Sequence, residues 1–211
     1  MSKIIIDPLT AGRGSIPRHP GESLPPDLPQ YPGVIPLDTI ILIGMPGAGK
    51  STVGVILAKA LGMRFTDTDL VLQERAGRLL QEIIDAEGPA AFKRSEEDTI
   101  LSLDLHHAVV ATGGSVVFSE PSMAYLKASG TVVYLKIPFD EMVRRISNIT
   151  TRGIVLEPGQ DLAGMFEERA PLYEHYADLT IDGSGNDHER VAETLIRELR
   201  NRAGEEHLQG S

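Results

Sequence analysis

The densest chemistry in the chain is Gly44-Met45-Pro46-Gly47-Ala48-Gly49-Lys50-Ser51, which satisfies G-x-x-x-x-G-K-[ST] in full. Gly44, Gly47, Ala48 and Gly49 form a turn whose backbone N–H groups can point inward onto phosphate oxygens. A helix starting at its end adds favourable partial positive charge. Lys50 is placed to reach the β- and γ-phosphates, Ser51 to offer its hydroxyl to Mg²⁺, and Thr52 to touch the α-phosphate. This is a nucleoside-triphosphate cradle. A switch GTPase would need a base-reading N-K-x-D, and a motor ATPase would need an apolar strand ending in paired acids. Neither sequence is present. A compact chain with a phosphate cradle and no such partner favours a small-molecule kinase.

A second concentration is Phe65-Thr66-Asp67-Thr68-Asp69, at the expected tip of a strand. Carboxylates at i and i+2 of an extended chain point the same way. Such a pair can divide two tasks, one orienting Mg²⁺ or its water and the other accepting a hydroxyl proton. The alternative is structural, with Asp69 capping the helix that follows. Three further stretches carry charge or tight turns: Gly88 to Glu97 on a long helix, Ala111-Thr112-Gly113-Gly114-Ser115 after an apolar run, and Arg169-Ala170-Pro171-Leu172-Tyr173 at the close of another helix.

The elements that must position these residues follow from the apolar pattern. Thr39 to Ile43 is almost wholly apolar, as a strand buried on both faces should be. Val53, Ile56, Leu57 and Ala60 recur at helical spacing over 51–61. Further apolar runs at 108–112, 131–137 and 179–181 alternate with helical patterns over 80–103, 119–128, 139–147, 161–176 and 187–202. Strands alternating with helices predict a central parallel sheet in a three-layer α/β/α fold. Gly153 to Gly159, with Pro158 inside, reads as a loop between two helices. Eight prolines fall between positions 8 and 36. They exclude a helix or central strand there, so 1–37 is expected to be an extended or disordered arm. The domain is expected over 38–203, with a tail at 204–211.

Composition narrows the class. The 211 residues, 41% of them hydrophobic, suffice for one core. Twenty basic against thirty acidic residues leave −10, which argues against wrapping nucleic acid. No cysteine means no disulfide, thiolate metal site or thiol nucleophile. No apolar run approaches the ~20 residues of a membrane span. The six histidines show no ligand spacing with acids, so no structural metal is expected. A cytoplasmic protein, monomeric or weakly dimeric, with a small-molecule partner and neither nucleic acid nor membrane, is the expectation.

The ordered set of motifs resembles the shikimate kinase family. Its members share the cradle with Lys50-Ser51-Thr52, the D-x-D at Asp67 and Asp69, F-[RK]-x-x-E from Phe92 to Glu96, the A-T-G-G turn, a lid arginine and R-x-P-x-Y. The resemblance spans about 39–200. It implies a P-loop nucleoside-monophosphate-kinase-like fold, in which ATP and Mg²⁺ serve phosphorylation of one hydroxyl of shikimate. It further implies that Asp67 helps place Mg²⁺, and that Asp69 binds the acceptor hydroxyls and serves as base. Lys93 falls where the family grips the acceptor carboxylate, and Glu96 orients that base. Gly113 and Gly114 present backbone to the ring, Arg169 makes a second carboxylate contact, and Arg152, in a lid of about 148–160, closes over the phosphoryl group.

Two departures touch the acceptor side and a third touches the lid. Lys93 replaces an arginine, exchanging a bidentate fork for a point charge. Ser115 replaces a third glycine, so its side chain either narrows the site or supplies a hydroxyl hydrogen bond. Gly153 follows Arg152 where the family has proline, which loosens that segment. Two alternatives follow, a kinase for another hydroxylated acceptor such as a gluconate-like polyol, and a catalytically silent ATP-binding module.

Overall fold

The computed structural model describes residues 39–147, 153–157, 159–185 and 187–209. The arm at 1–37 and Arg152, together with the rest of 148–152, lie outside the described residues. Five strands pair in parallel throughout: β1 (Thr39–Ile43), β2 (Arg64–Asp67), β3 (Ala108–Ala111), β4 (Thr131–Lys136) and β5 (Leu179–Asp182). Their order is β2-β3-β1-β4-β5. The helices are α1 (Lys50–Leu61), α2 (Thr68–Ala76), α3 (Leu80–Leu101), α4 (Glu120–Ser129), α5 (Phe139–Ser147), α6 (Leu162–Tyr176) and α7 (His188–Gln209).

Strand order and chirality together decide the layers. From β1 to β2 the chain moves one way across the sheet, whereas every later crossover to β3, β4 and β5 moves the other way. Right-handed crossovers therefore send α1 to one face and α3, α4 and α6 to the other. Packing agrees, since α1 meets α7, while α3, α4 and α6 gather around a 3₁₀ turn at Val116–Phe118. Ile40, Ile41, Leu42 and Ile43 are wholly buried, covered on both sides. Burial of each such side chain is worth ~1.5–3 kcal/mol, so the central strand is a rigid platform for the turn that follows it.

Three elements differ from the sequence reading. The second strand stops at Asp67 and α2 begins at Thr68, so Asp67 and Asp69 do not share an extended chain. Asp67, not Asp69, is the helix cap: its Oδ1 accepts from the amides of Asp69 at 3.0 Å and Leu70 at 3.4 Å. Satisfying two orphan helix amides outweighs continuing the strand. The helix over 80–103 is bent at Gly88, whose φ of 80° and ψ of 165° break the ladder, and Pro89 restarts it. Finally, α7 continues to Gln209, past the pattern read over 187–202.

Candidate active site

The carboxyl ends of three strands converge. Asp67 of β2 and Leu42 of β1 both pair in register with Ala111 of β3. Ligands of open parallel sheets bind at this edge. The glycine turn leaves β1 here, with φ values of 145° at Gly44, 78° at Gly47 and 94° at Gly49. At Gly47 and Gly49 these angles lie where side chains are strained. Gly49 is also closely approached, because a Cβ there would lie 2.9 Å from the His188 ring. Lys50 is buried, and its ammonium donates to the carbonyls of Gly44 at 2.8 Å and Met45 at 3.0 Å, across the mouth of the turn. Ser51 is half-buried and Thr52 exposed at the start of α1.

Arg145 of α5 braces this cradle from outside. It donates to the Gly47 carbonyl at 2.9 Å and to the Gly183 carbonyl at 3.0 Å, and pairs with Glu141 at 2.6 Å. Glu141 accepts in turn from the Gly185 amide at 2.9 Å. The β5–α7 connection is thus bound to the cradle through one guanidinium. From the sequence, Arg144 and Arg145 read as a basic helix face near the lid, with Arg144 preferred as solvent-facing; its side chain is 62% exposed, and Arg145 is the one that turns inward. His188, against Gly49, had no sequence signal at all.

Beside the cradle lies a small cleft lined by Pro46, Asp69, Phe92, Glu96, Gly113 and Arg169, with Gly114, Ser115 and the 153–155 segment completing it. Gly113 is where the acids meet: a Cβ there would lie 2.0 Å from Glu96 Oε1 and 2.8 Å from Asp69 Oδ1. Any side chain at 113 would fill the space between the two carboxylates. The Gly113 amide donates to the Thr68 hydroxyl at 3.0 Å, and the Tyr173 hydroxyl donates to the Gly114 carbonyl at 2.5 Å, so both glycines are held by buried hydroxyls. Thr68 and Tyr173 are positioning residues that lay inside recognised motifs, at the middle of D-T-D and the end of R-A-P-L-Y.

Ser115 resolves its own alternative. Its hydroxyl is buried and donates to Glu96 Oε2 at 2.6 Å. Burial raises the Glu96 carboxyl from 4.5 to about 7, with the Ser115 hydrogen bond opposing the rise and the Asp69 charge adding to it. Arg169, 2% exposed, donates to the Val155 carbonyl and lies 5.4 Å from the Phe118 ring centre. Lys93 is partly exposed, its ammonium on Glu157 Oε1 at 2.6 Å and 4.5 Å from the same ring centre. Among the described residues three buried side-chain polar atoms have no protein partner, and two of them, Glu96 Oε1 and Arg169 Nε, belong to this cleft. One is an acceptor and the other a cationic donor.

Asp67 and Ser51 suit Mg²⁺, a hard cation that takes one or two protein oxygens and completes its shell with water and phosphate. Among the described residues there is no cluster of three or more His, Cys, Asp or Glu able to hold a metal by themselves. No described helix is long and apolar enough to cross a membrane.

An all-parallel sheet with a glycine cradle at the end of its central strand, beside a cleft holding paired acids and a buried cation, defines a P-loop phosphotransferase of nucleoside-monophosphate-kinase-like fold. Residues 46–200 match the family model for shikimate kinase. A shikimate kinase from Thermobifida fusca is 38% identical over 161 residues, covering 75% of this chain and 93% of that one. One from Mycobacterium avium is 38% identical over 162 residues, covering 75% and 92%. Among solved structures, a shikimate kinase from Acinetobacter baumannii in complex with shikimate superposes with a TM-score of 0.74 at 31% identity, covering 80% of this chain and 96% of that one. The chain belongs to the shikimate kinase family.

Proposed function

We propose that the chain transfers the γ-phosphoryl group of ATP to a hydroxyl of shikimate, with Mg²⁺ as cofactor, in a cytoplasmic setting. The observation that carries this reading is that two buried atoms without a protein partner, the acceptor Glu96 Oε1 and the donor Arg169 Nε, belong to residues lining one cleft beside the cradle. A hydroxylated carboxylic acid supplies what both atoms lack, a donor for the glutamate and an anion for the guanidinium. The acceptor named in the Acinetobacter baumannii complex has that chemistry.

In the transfer, the acceptor oxygen forms a bond to the γ-phosphorus as the bond to the β–γ bridging oxygen breaks. The chain's work is positioning and charge neutralisation. Asp69, across Gly113 from Glu96, accepts the hydroxyl proton, and Glu96 holds the hydroxyl in place. The turn Gly44, Gly47, Ala48 and Gly49 binds phosphate, with Ser51 and Thr52 beside it. Lys50 swings from the two carbonyls it now contacts onto the phosphoryl group, and Arg152 adds a second cation. Asp67 and Ser51 would hold Mg²⁺, which supplies neutralisation of phosphate charge when bound. Gly113 and Gly114 allow the acceptor ring to approach the backbone.

The buried Ser115–Glu96 bond favours one other reading, a smaller or differently hydroxylated acid in the same cleft. A coupled ADP-release assay with ATP, Mg²⁺ and shikimate, beside gluconate and a no-acceptor control, separates them. Shikimate-dependent turnover is expected; turnover with gluconate alone, or with neither, would overturn the assignment. Asp69→Asn should lower turnover ~10²–10⁴-fold while leaving ATP binding unchanged. An unchanged rate in that variant would remove Asp69 from the role of base.

A further inference from the structure

The acceptor cleft is lined on one side by residues 153–155, part of a segment 153–157 that belongs to no helix or strand but is held at four points. Gly153 lies so near α3 that a Cβ there would be 2.6 Å from the Leu80 Cβ. Proline's place in the family pattern is thus taken by the one residue able to make this approach. Val155, 4% exposed, packs with Leu72, Leu80, Ile83, Ile84 and Phe92. Its carbonyl accepts from Arg169. Glu157, at the end of the segment, accepts from Lys93 Nζ at 2.6 Å across 64 residues of chain.

Resting on the shikimate reading above, in which Arg169 meets the acceptor carboxylate, we infer that Lys93 and Glu157 form a strap that seats residues 153–157 over the acceptor cleft, so that Lys93 is a positioning residue and not a second carboxylate ligand. An ammonium is one compact charge. Here it is neutralised by Glu157 and rests on the Phe118 ring, so an acceptor carboxylate would have to compete with Glu157 for it. Arg169 differs in kind, since its Nε has no protein partner and the whole residue is buried at the cleft. The strap joins α3, which carries Glu96, to the segment whose backbone Arg169 holds. It therefore ties together both ends of the acceptor site. Its side chains are 30% and 50% exposed, which limits the direct pair to a modest contribution.

The test is a double-mutant cycle with Lys93→Met and Glu157→Gln, read both by kinetics and by amide hydrogen exchange. Each single variant should raise the acceptor KM about two- to five-fold with the ATP KM unchanged. The double variant should be no worse than the weaker single, and the reversed pair Lys93→Glu with Glu157→Lys should recover most of the loss. Exchange at residues 153–157, measured on the full chain without nucleotide or acceptor, should quicken in each single variant. The proposal is overturned if Glu157→Gln lowers the acceptor KM while Lys93→Met raises it tenfold or more, because Lys93 would then be the carboxylate ligand. If the parent chain does not turn over shikimate, the exchange arm decides alone: faster exchange in both variants supports the strap, and unchanged exchange overturns it.

Discussion

The phosphate cradle and the acceptor cleft adjoin at Pro46, yet they are built by opposite means. The cradle is a run of eight consecutive residues whose working groups are backbone amides and one lysine. The cleft is assembled from side chains of α2, α3 and α6, with backbone from the turn after β3, and its key contacts span 19 residues between Glu96 and Ser115 or 59 between Gly114 and Tyr173. A backbone site tolerates little change because glycine geometry is its substance. A side-chain site can exchange partners while keeping its shape. Lys93 now bonds Glu157, and Ser115 bonds Glu96, with the cradle unaltered.

The largest effect should come from Lys50→Met on the cradle side. Removing a preorganised charge from the transferring group should lower kcat ~10²–10³-fold and weaken ATP binding, leaving acceptor affinity near its parent value. Steady-state kinetics against both substrates check this. A loss confined to the acceptor KM would break the division between the regions.

Arg169→Lys should do the reverse. Losing a charge-assisted hydrogen bond costs ~1.5–3 kcal/mol, or about one to two decades in acceptor KM, with the ATP KM unmoved. The melting temperature should also fall, because the same guanidinium holds the Val155 carbonyl. Equal changes in both KM values would mean that Arg169 supports the cradle instead.

A smaller effect, in pH dependence, sharpens the picture of the cleft. Burial holds the Glu96 carboxyl at about 7, against 4.5 unfolded, so the folded chain keeps a proton that the unfolded chain releases. Stability from this group is full below pH 4.5 and is lost as pH rises through 7, by about 3 kcal/mol. Glu96→Gln should flatten that part of the pH–stability curve in thermal melts. With Glu96 acting as carboxylate, kcat/KM for the acceptor should rise through pH 7 in the parent. Ser115→Ala removes a hydrogen bond that lowers the Glu96 carboxyl, so this limb should move to higher pH. A limb that stays in place would detach Ser115 from the acid.

The apolar runs at 39–43, 108–112, 131–137 and 179–181 determined a parallel α/β sheet, because buried strands and amphipathic helices leave different periods in the sequence. The eight residues of the cradle determined triphosphate binding, since their geometry is local and travels with the motif. Helix α2 was legible only as the structural alternative at D-T-D, a helix capped at Asp69: Leu70 is 60% exposed, so its pattern lacks a clean apolar face, and the cap proved to be Asp67, two residues earlier. Likewise, Arg144 and Arg145 are neighbours of one type, and which of them reaches the Gly47 carbonyl depends on how α5 lies against the β5–α7 connection. Only the tertiary structure decided the partners of Lys93, Glu96, Ser115 and Arg169. Those choices rest on distances between elements far apart in the chain and on burial that shifts an acid by pairing and desolvation, neither of which any local run of residues encodes.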